Sequence, residues 1–233
     1  MPAKNYASDL VAHADAITQS RSGERTRLNL LAAGARLLDK SGYRDLNVAG
    51  ICEAAEQAKG TFYVYFETKE RFLLELLRSY VPYELTTYPQ LSPKMSAYPA
   101  TKIWITWYER TFAQNAGILR CMVQRSELDP DVQRIWHERN RHLVDRAVHE
   151  VVSRLTRQPK DPELLRNAIR ATGGMLDQSL FERSRIHAGP GLERMDGEHL
   201  IELHSILSYR ALYGRNPPRG EVPTRLRPLL DLP

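Results

Sequence analysis

An all-α fold is the expectation from three features of this 233-residue sequence. Apolar residues recur at helical spacing, first as Leu30, Leu31, Gly34, Leu37 and Leu38, at i, i+1, i+4, i+7 and i+8. No apolar/polar alternation persists long enough to mark a strand. Cap residues stand where helices should begin: Asn47, Thr68, and the pairs Asp129-Pro130 and Asp161-Pro162. In such pairs the carboxylate accepts orphan N–H groups and proline fits the first turn. At 42% apolar residues the chain can build a packed core, as one large domain or two small ones.

The elements follow in order. Residues 1–23 are polar and read as a flexible N-terminal extension, with one short helix within Ala7–Thr18. A first strong helix runs from Glu24 to Ser41-Gly42, where glycine can take the left-handed conformation that ends it. Asn47 caps a short helix, Val48–Ala55, whose inner face is Val48, Ile51, Cys52 and Ala55. After a break at Glu56-Gln57 comes Ala58–Tyr65, and Thr68 then caps a leucine-rich helix, Lys69–Tyr80. Thr86–Ala100, with three prolines, reads as a loop. Trp104, Trp107, Tyr108, Thr111 and Phe112 form the aromatic face of the next helix, either core or the lining of a pocket. Helices are expected at Asn115–Glu127, at about Pro130–Thr156 and Pro162–Arg185, and near Gly197–Tyr213, with a loop at Gly189-Pro190-Gly191. Gly173-Gly174 inside a helix costs about 1 kcal/mol per glycine against alanine, and marks a kink or a close helix crossing.

Several functions are disfavoured. Cys52 and Cys121 lack both a disulfide framework and zinc-ligand spacing. No apolar run approaches the roughly 20 residues of a membrane span, and MPAKNYASDL has no apolar signal core. A cytoplasmic protein is expected. The i, i+4 pairs Glu138/His142 and Asp145/His149 lack the Glu-x-x-His pattern of di-iron bundles and read as surface ion pairs. No nucleophile elbow, P-loop or G-x-G-x-x-G occurs, so no catalytic residue, metal or cofactor is assigned and the chain is not expected to be an enzyme.

The net charge of +5 hints at a polyanionic partner. Residues 1–80 carry 11 basic and 10 acidic side chains, residues 81–208 carry 17 and 16, and residues 209–233 carry 5 and 2. The surplus therefore lies mostly in the last 25 residues, whose proline- and arginine-rich tail, residues 214–233, reads as an extended arm: a solvated tail, or a basic strap on DNA or a partner subunit.

Three short helices in under 45 residues, followed at once by a fourth, is the layout of a helix-turn-helix module. Its second helix must be short, small near its start and rich in donors, as Lys59-Gly60-Thr61-Phe62-Tyr63-Val64-Tyr65-Phe66 is. Gly60 would let the backbone approach DNA. Lys59 and Thr61 would donate to base edges or phosphates, and the hydroxyls of Tyr63 and Tyr65 suit phosphates. Phe62 and Phe66 would face the core, and Lys69 could grip a phosphate from the next helix.

Residues 25–77 resemble the DNA-binding domain of TetR-type bacterial transcription regulators. The resemblance rests on Gly42-Tyr43 ending an apolar helix, Asn47-Val48 with Ile51, the run Lys59 to Phe66, and Lys69-Glu70. The sequence departs from the pattern with Glu56-Gln57 where Gly-Val is usual, and with Ala58 in place of serine. The resemblance implies a helix-turn-helix domain over 24–68, with DNA contacts from Asn47, Lys59, Gly60, Thr61, Tyr63, Tyr65 and Lys69. It implies a helical effector-binding and dimerisation domain over 69–213. A small apolar effector would then lie near Trp104, Trp107, Tyr108, Phe112, Met122 and Met175, with Arg120, Cys121 and Arg125 as more distant candidates. A homodimer interface would involve Gly173, Gly174, Leu176, Leu180, Leu203, Ile206 and Leu207. The implied function is that of a repressor on a palindromic operator, nucleoid-associated when bound to double-stranded DNA and released by its effector. A helical small-molecule-binding protein that has lost DNA binding is the alternative.

Overall fold

The computed structural model of the chain describes residues 4–18, 21–184 and 196–232. The expected breaker Gly189-Pro190-Gly191 and the expected helix end at Arg185 lie outside the described residues. Among the described residues there are ten α-helices and no strand. The helices are α1 (Tyr6–Ala16), α2 (Ser22–Ser41), α3 (Val48–Ala54), α4 (Lys59–Tyr65), α5 (Lys69–Thr86), α6 (Ala97–Gln114), α7 (Ala116–Ser126), α8 (Pro130–Val152), α9 (Pro162–Arg183) and α10 (Gly197–Tyr213). They fall into two compact units. One comprises the chain up to Thr87 with Gln114–Arg139, the other Tyr88–Ala113 with the residues from Asn140 onward.

In the first unit α2 is the central element. Its Leu30, Leu31, Gly34 and Leu38 are buried, as the spacing predicts, while Leu37 of the same expected face is half-buried. The N-terminal segment differs from the expected flexible extension. Asn5 caps α1 by accepting from the Ser8 N–H at 3.0 Å, and the helix packs on α2, burying Tyr6, Ala7, Leu10 and Ala14. The Tyr6 N–H donates to Asn115 Oδ1 at 2.8 Å and its hydroxyl to Ser79 Oγ at 2.7 Å. Tyr83 donates to Asp9 at 2.9 Å. The partners lie 70 to 110 residues away, so the segment's polarity gave no sign of them.

Two glycines set how closely the first unit packs. A Cβ on Gly34 would lie 2.4 Å from the Phe72 ring. At the start of α7 the Gly117 N–H donates to Asp39 Oδ1 at 2.5 Å, and a Cβ there would lie 2.3 Å from the backbone at Leu38 and Asp39. Burial raises the pKa of Asp39, opposed by the Gly117 N–H and Arg120. Helix α5 runs past the expected end at Tyr80, through Pro82, because its last turn is anchored. Arg139 donates to both oxygens of Glu84, each at 2.7 Å, with both side chains 1% exposed. A bidentate, fully hydrogen-bonded pair of this kind is the form in which buried charges are tolerated.

The second unit holds α6 up to Ala113, α8 from Asn140, α9 and α10. Helix α6 starts at Ala97 rather than after Ala100, since Pro99 falls in its first turn, where proline is accommodated. Val144, Ala147, Val151 and Ile169 form one buried cluster. Polar ties join α6 to α10: Lys102 with Glu202, Arg110 with Glu198 at 2.9 Å, and His204 Nδ1 with Glu109 Oε1 at 2.6 Å, the last pair about 5% and 4% exposed. The tail is not an extended arm. Two 3-10 segments, Arg219–Glu221 and Thr224–Asp231, fold it so that Val222 and Leu230 pack with Tyr98, Ile206 and Tyr209. Arg210 donates to the carbonyls of Leu229 (3.0 Å) and Leu232 (3.3 Å), and Arg219 pairs with Asp231 at 2.7 Å.

Candidate functional site

The first candidate is built on α3 and α4. Asn47 caps α3 by accepting from the Gly50 N–H at 2.9 Å, and its amide donates to the Asp45 carbonyl at 3.0 Å. The turn closes through Gln57 N–H to Cys52 O at 2.8 Å, with Glu56 at φ 54°, the one non-glycine with positive φ among the described residues. The side chain there has taken the strained conformation anticipated at the Glu56-Gln57 departure, at a cost of about 1 kcal/mol relative to glycine. Ala58, the α4 N-cap, offers no side-chain bond.

Helix α4 has two opposite faces. Phe62 is fully buried and meets Phe66 and Phe72 at ring distances of 5.3 and 5.5 Å, while Phe66 and Phe72 meet edge-on at 4.9 Å. This triad fixes the helix on α5. On the other face Lys59 and Gly60 are exposed, Tyr63 is 57% exposed and Val64 77%, with Thr61 and Tyr65 half-buried. A Cβ on Gly60 would meet nothing within 4 Å, whereas the Tyr65 hydroxyl lies back toward Gly23 at the start of α2. Lys69 is engaged within the protein: its ammonium donates to the Leu46 carbonyl at 3.2 Å and sits 4.7 Å from the Tyr43 ring centroid, a ring that Arg125 also covers at 4.8 Å. Lys59, Gly60, Thr61, Tyr63 and Tyr65 thus share one helix, and Asn47 and Lys69 stand at the starts of its neighbours. Val64, the most exposed apolar side chain of α4, was not singled out in the sequence. Its position between two tyrosines on the outer face is the signal that could have found it.

The second candidate lies wholly within the second unit. A small cavity, open on one side to solvent and with about 40 Å³ of accessible space, lies there. Its apolar wall includes Leu91, Ala147, Val151, Ile169 and Leu212, and its polar or aromatic wall Tyr88, Thr101, Trp104, Glu150, Arg154, Thr172, Ser208 and Tyr213. Of the six residues expected near an effector, Trp104 lines this cavity. The others are placed elsewhere. Tyr108 stacks on Trp104 and bonds to Asp177, and Trp107 backs Tyr88 at 4.9 Å. Phe112 packs edge-on to Phe181 at 5.0 Å, Met122 is fully buried in the first unit, and Met175 is 37% exposed. The broad aromatic face of α6 therefore splits, one edge to the cavity and the rest to packing. Cys121 is buried in the first unit, which pushes its thiol up to about 12 and leaves it a small apolar residue.

The residues expected at a dimer interface also divide. Leu176, Leu180 and Ile206 belong to the second unit's own core. Leu203, Leu207 and Gly173 are half-buried and Gly174 is exposed, and a Cβ on either glycine would meet nothing within 4 Å. Asp145, expected to pair with His149, bonds Arg166 instead. Among the described residues no cluster of His, Cys, Asp and Glu would hold a metal ion, and no helix is long and apolar enough to cross a membrane.

Comparison with known proteins places the first candidate. Residues 30–76 match the sequence profile of bacterial regulatory proteins of the tetR family. No curated protein matches the chain at a significant level. Among solved structures, a tetR-family transcriptional regulator from Streptomyces coelicolor superposes with a TM-score of 0.65 at 13% identity, over 90% of this chain and 99% of that one. A transcriptional regulator from Rhodococcus sp. Rha1 does so at 0.64 and 16%, over 81% and 96%. Salmonella enterica GusR gives 0.60 and 15%, over 84% and 100%. These likenesses extend the shared fold well beyond the matched segment. At the N-terminal end of an all-α chain, residues 30–76 thus form a helix-turn-helix DNA-binding segment similar to that of tetR-family bacterial regulators, and the rest of the chain shares the fold of the solved regulators.

Proposed function

We propose that this regulator binds a palindromic operator as a homodimer and represses until a small apolar effector occupies the cavity of the second unit. The observation that carries the DNA reading is the division of α4. Its inner face is locked by Phe62, while Lys59, Gly60, Tyr63 and Val64 are presented to solvent on a rigid helix. Lys59 and Thr61 would donate to bases or phosphates, Tyr63, Tyr65, Asn47 and Lys69 would hold the backbone, and Gly60 would permit close approach. Lys69 already spends one donor on Leu46, which leaves two for phosphate.

Dimerisation would use the outward residues Gly173, Gly174, Leu203 and Leu207, with half-sites about one helical turn apart or modestly more. An effector that favours a subunit arrangement unable to reach both grooves would release the DNA by population shift.

A genomic footprint of the purified full chain tests the reading. Protection of a palindrome is expected, and protection of no sequence would overturn it in favour of a helical small-molecule-binding protein. On the recovered operator, Lys59→Ala with Tyr63→Phe should weaken binding by about 10- to 100-fold and lower the salt slope by about one. An unchanged affinity would remove these two residues from the contact surface.

A further inference from the structure

The polar wall of the cavity is unbalanced in a way that describes its ligand. Four side-chain atoms on that wall are buried and lack a hydrogen-bond partner: Tyr88 OH, Trp104 Nε1, Arg154 Nε and Ser208 Oγ. Tyr88 and Ser208 are 3% and 1% exposed as whole residues. Indole and guanidinium nitrogens donate only, and a hydroxyl can donate. Burial raises the pKa of Tyr88 and keeps its proton in place, while the nearby Trp104 N–H counters a little of that effect without reaching hydrogen-bond geometry. Both threonine hydroxyls are spent: Thr101 donates to Ala97 O and Thr172 to Ala168 O, each at 2.9 Å. Protein interiors rarely leave such donors unpaired, so a cavity that gathers four of them awaits acceptors.

The charge of the wall is already neutralised. Arg154 Nη1 holds Glu150 Oε2 at 2.6 Å, and Nη2 donates to Ser92 O at 3.0 Å. A carboxylate ligand would have to enter beside Glu150, and an amine would add donors to a wall that already has too many. The donors are also held in place. Trp104 stacks on Tyr108 at 5.7 Å with 11° between the planes, and Tyr88 is set between Trp107 and the Arg146 guanidinium, each at 4.9 Å.

We infer that the effector is an uncharged, flat, largely apolar molecule carrying a carbonyl-type oxygen, which accepts from the neighbouring Trp104 N–H and Tyr88 hydroxyl, with Ser208 open to a further acceptor. A ketone, lactone or ester on a ring system meets this description. The inference rests on the proposed use of the cavity as the effector site.

Isothermal titration calorimetry of the full chain with four two-ring probes tests it: coumarin (a neutral lactone), naphthalene, 1-naphthoate and 1-naphthylamine. Coumarin should bind at least about tenfold more tightly than the other three. Trp104→Phe and Tyr88→Phe should each remove most of that preference and leave naphthalene within about twofold. Both are conservative, and an unchanged melting temperature checks that each variant is folded.

Equal binding of coumarin and naphthalene would overturn the ligand class and leave the cavity reading standing, as would tightest binding by the acid or amine, or a preference that survives both substitutions. A third variant, Thr172→Phe, fills the cavity. Binding that persists in it, or the failure of all four probes to bind the unaltered chain, would overturn the cavity reading and the class together.

Discussion

Helices α4 and α6 are both rich in aromatic side chains, yet they use them differently. In α4 the rings alternate between duties at helical spacing. Phe62 is buried in the triad with Phe66 and Phe72, and Tyr63 faces outward. In α6 nearly every ring is covered, and only Trp104 borders the cavity. A short helix with one packed side has a single boundary between core and solvent, so its period gives the function of each position. A helix covered on several sides has no such boundary. Which ring meets a void is decided by the residues opposite, and these come from distant segments.

The largest expected effect that would break this comparison is at the two buried phenylalanines. Phe62→Ala and Phe112→Ala should each cost about 3–5 kcal/mol in urea unfolding. The folded Phe62→Ala protein should lose operator binding, since α4 is held by that ring, whereas Phe112→Ala should keep it. Equal loss in both would mean that α4 is not positioned by its own triad.

Gly60→Ala sharpens the contrast with a change of opposite signs. Nothing lies near a new Cβ, so stability should rise by up to about 1 kcal/mol from helix propensity. Operator affinity should fall, because that Cβ occupies the space a DNA backbone or base would take. A gel shift that shows no weakening would place Gly60 off the DNA surface.

Smallest is the turn before α4. Glu56→Gly relieves a φ of 54° and should raise the melting temperature by the equivalent of about 1 kcal/mol. A flat or lower melting temperature would show that the turn is not strained.

What was legible in the sequence follows the same division between local and distant causes. The caps at Asn47, Thr68 and Asp161 each accept from an N–H three residues on, so the information sits within one turn of chain. The face of α2 and the recognition helix were equally local. The short helix α1 was expected, but its docking was missed, because Tyr6 is held by the distant Ser79 and Asn115. The tail looked extended because prolines and arginines dominate it, while Val222 and Leu230, which fold it back on Tyr98 and Tyr209, are few and far apart. The cavity was only glimpsed. Tyr88, Arg154 and Ser208 share no spacing with Trp104, and the other five residues first expected there lie outside the lining.

The tight contacts at Gly34 and Gly117 leave different freedom to the sequence. At position 34 the obstacle is the ring of Phe72, a side chain that substitution can shrink. Positions 34 and 72 should therefore drift as a pair among related chains, a larger residue at one accompanied by a smaller one at the other. At position 117 the obstacle is the main chain at Leu38 and Asp39, which no substitution removes. That site has no partner to negotiate with, and glycine there should persist wherever α7 docks on α2 in this way.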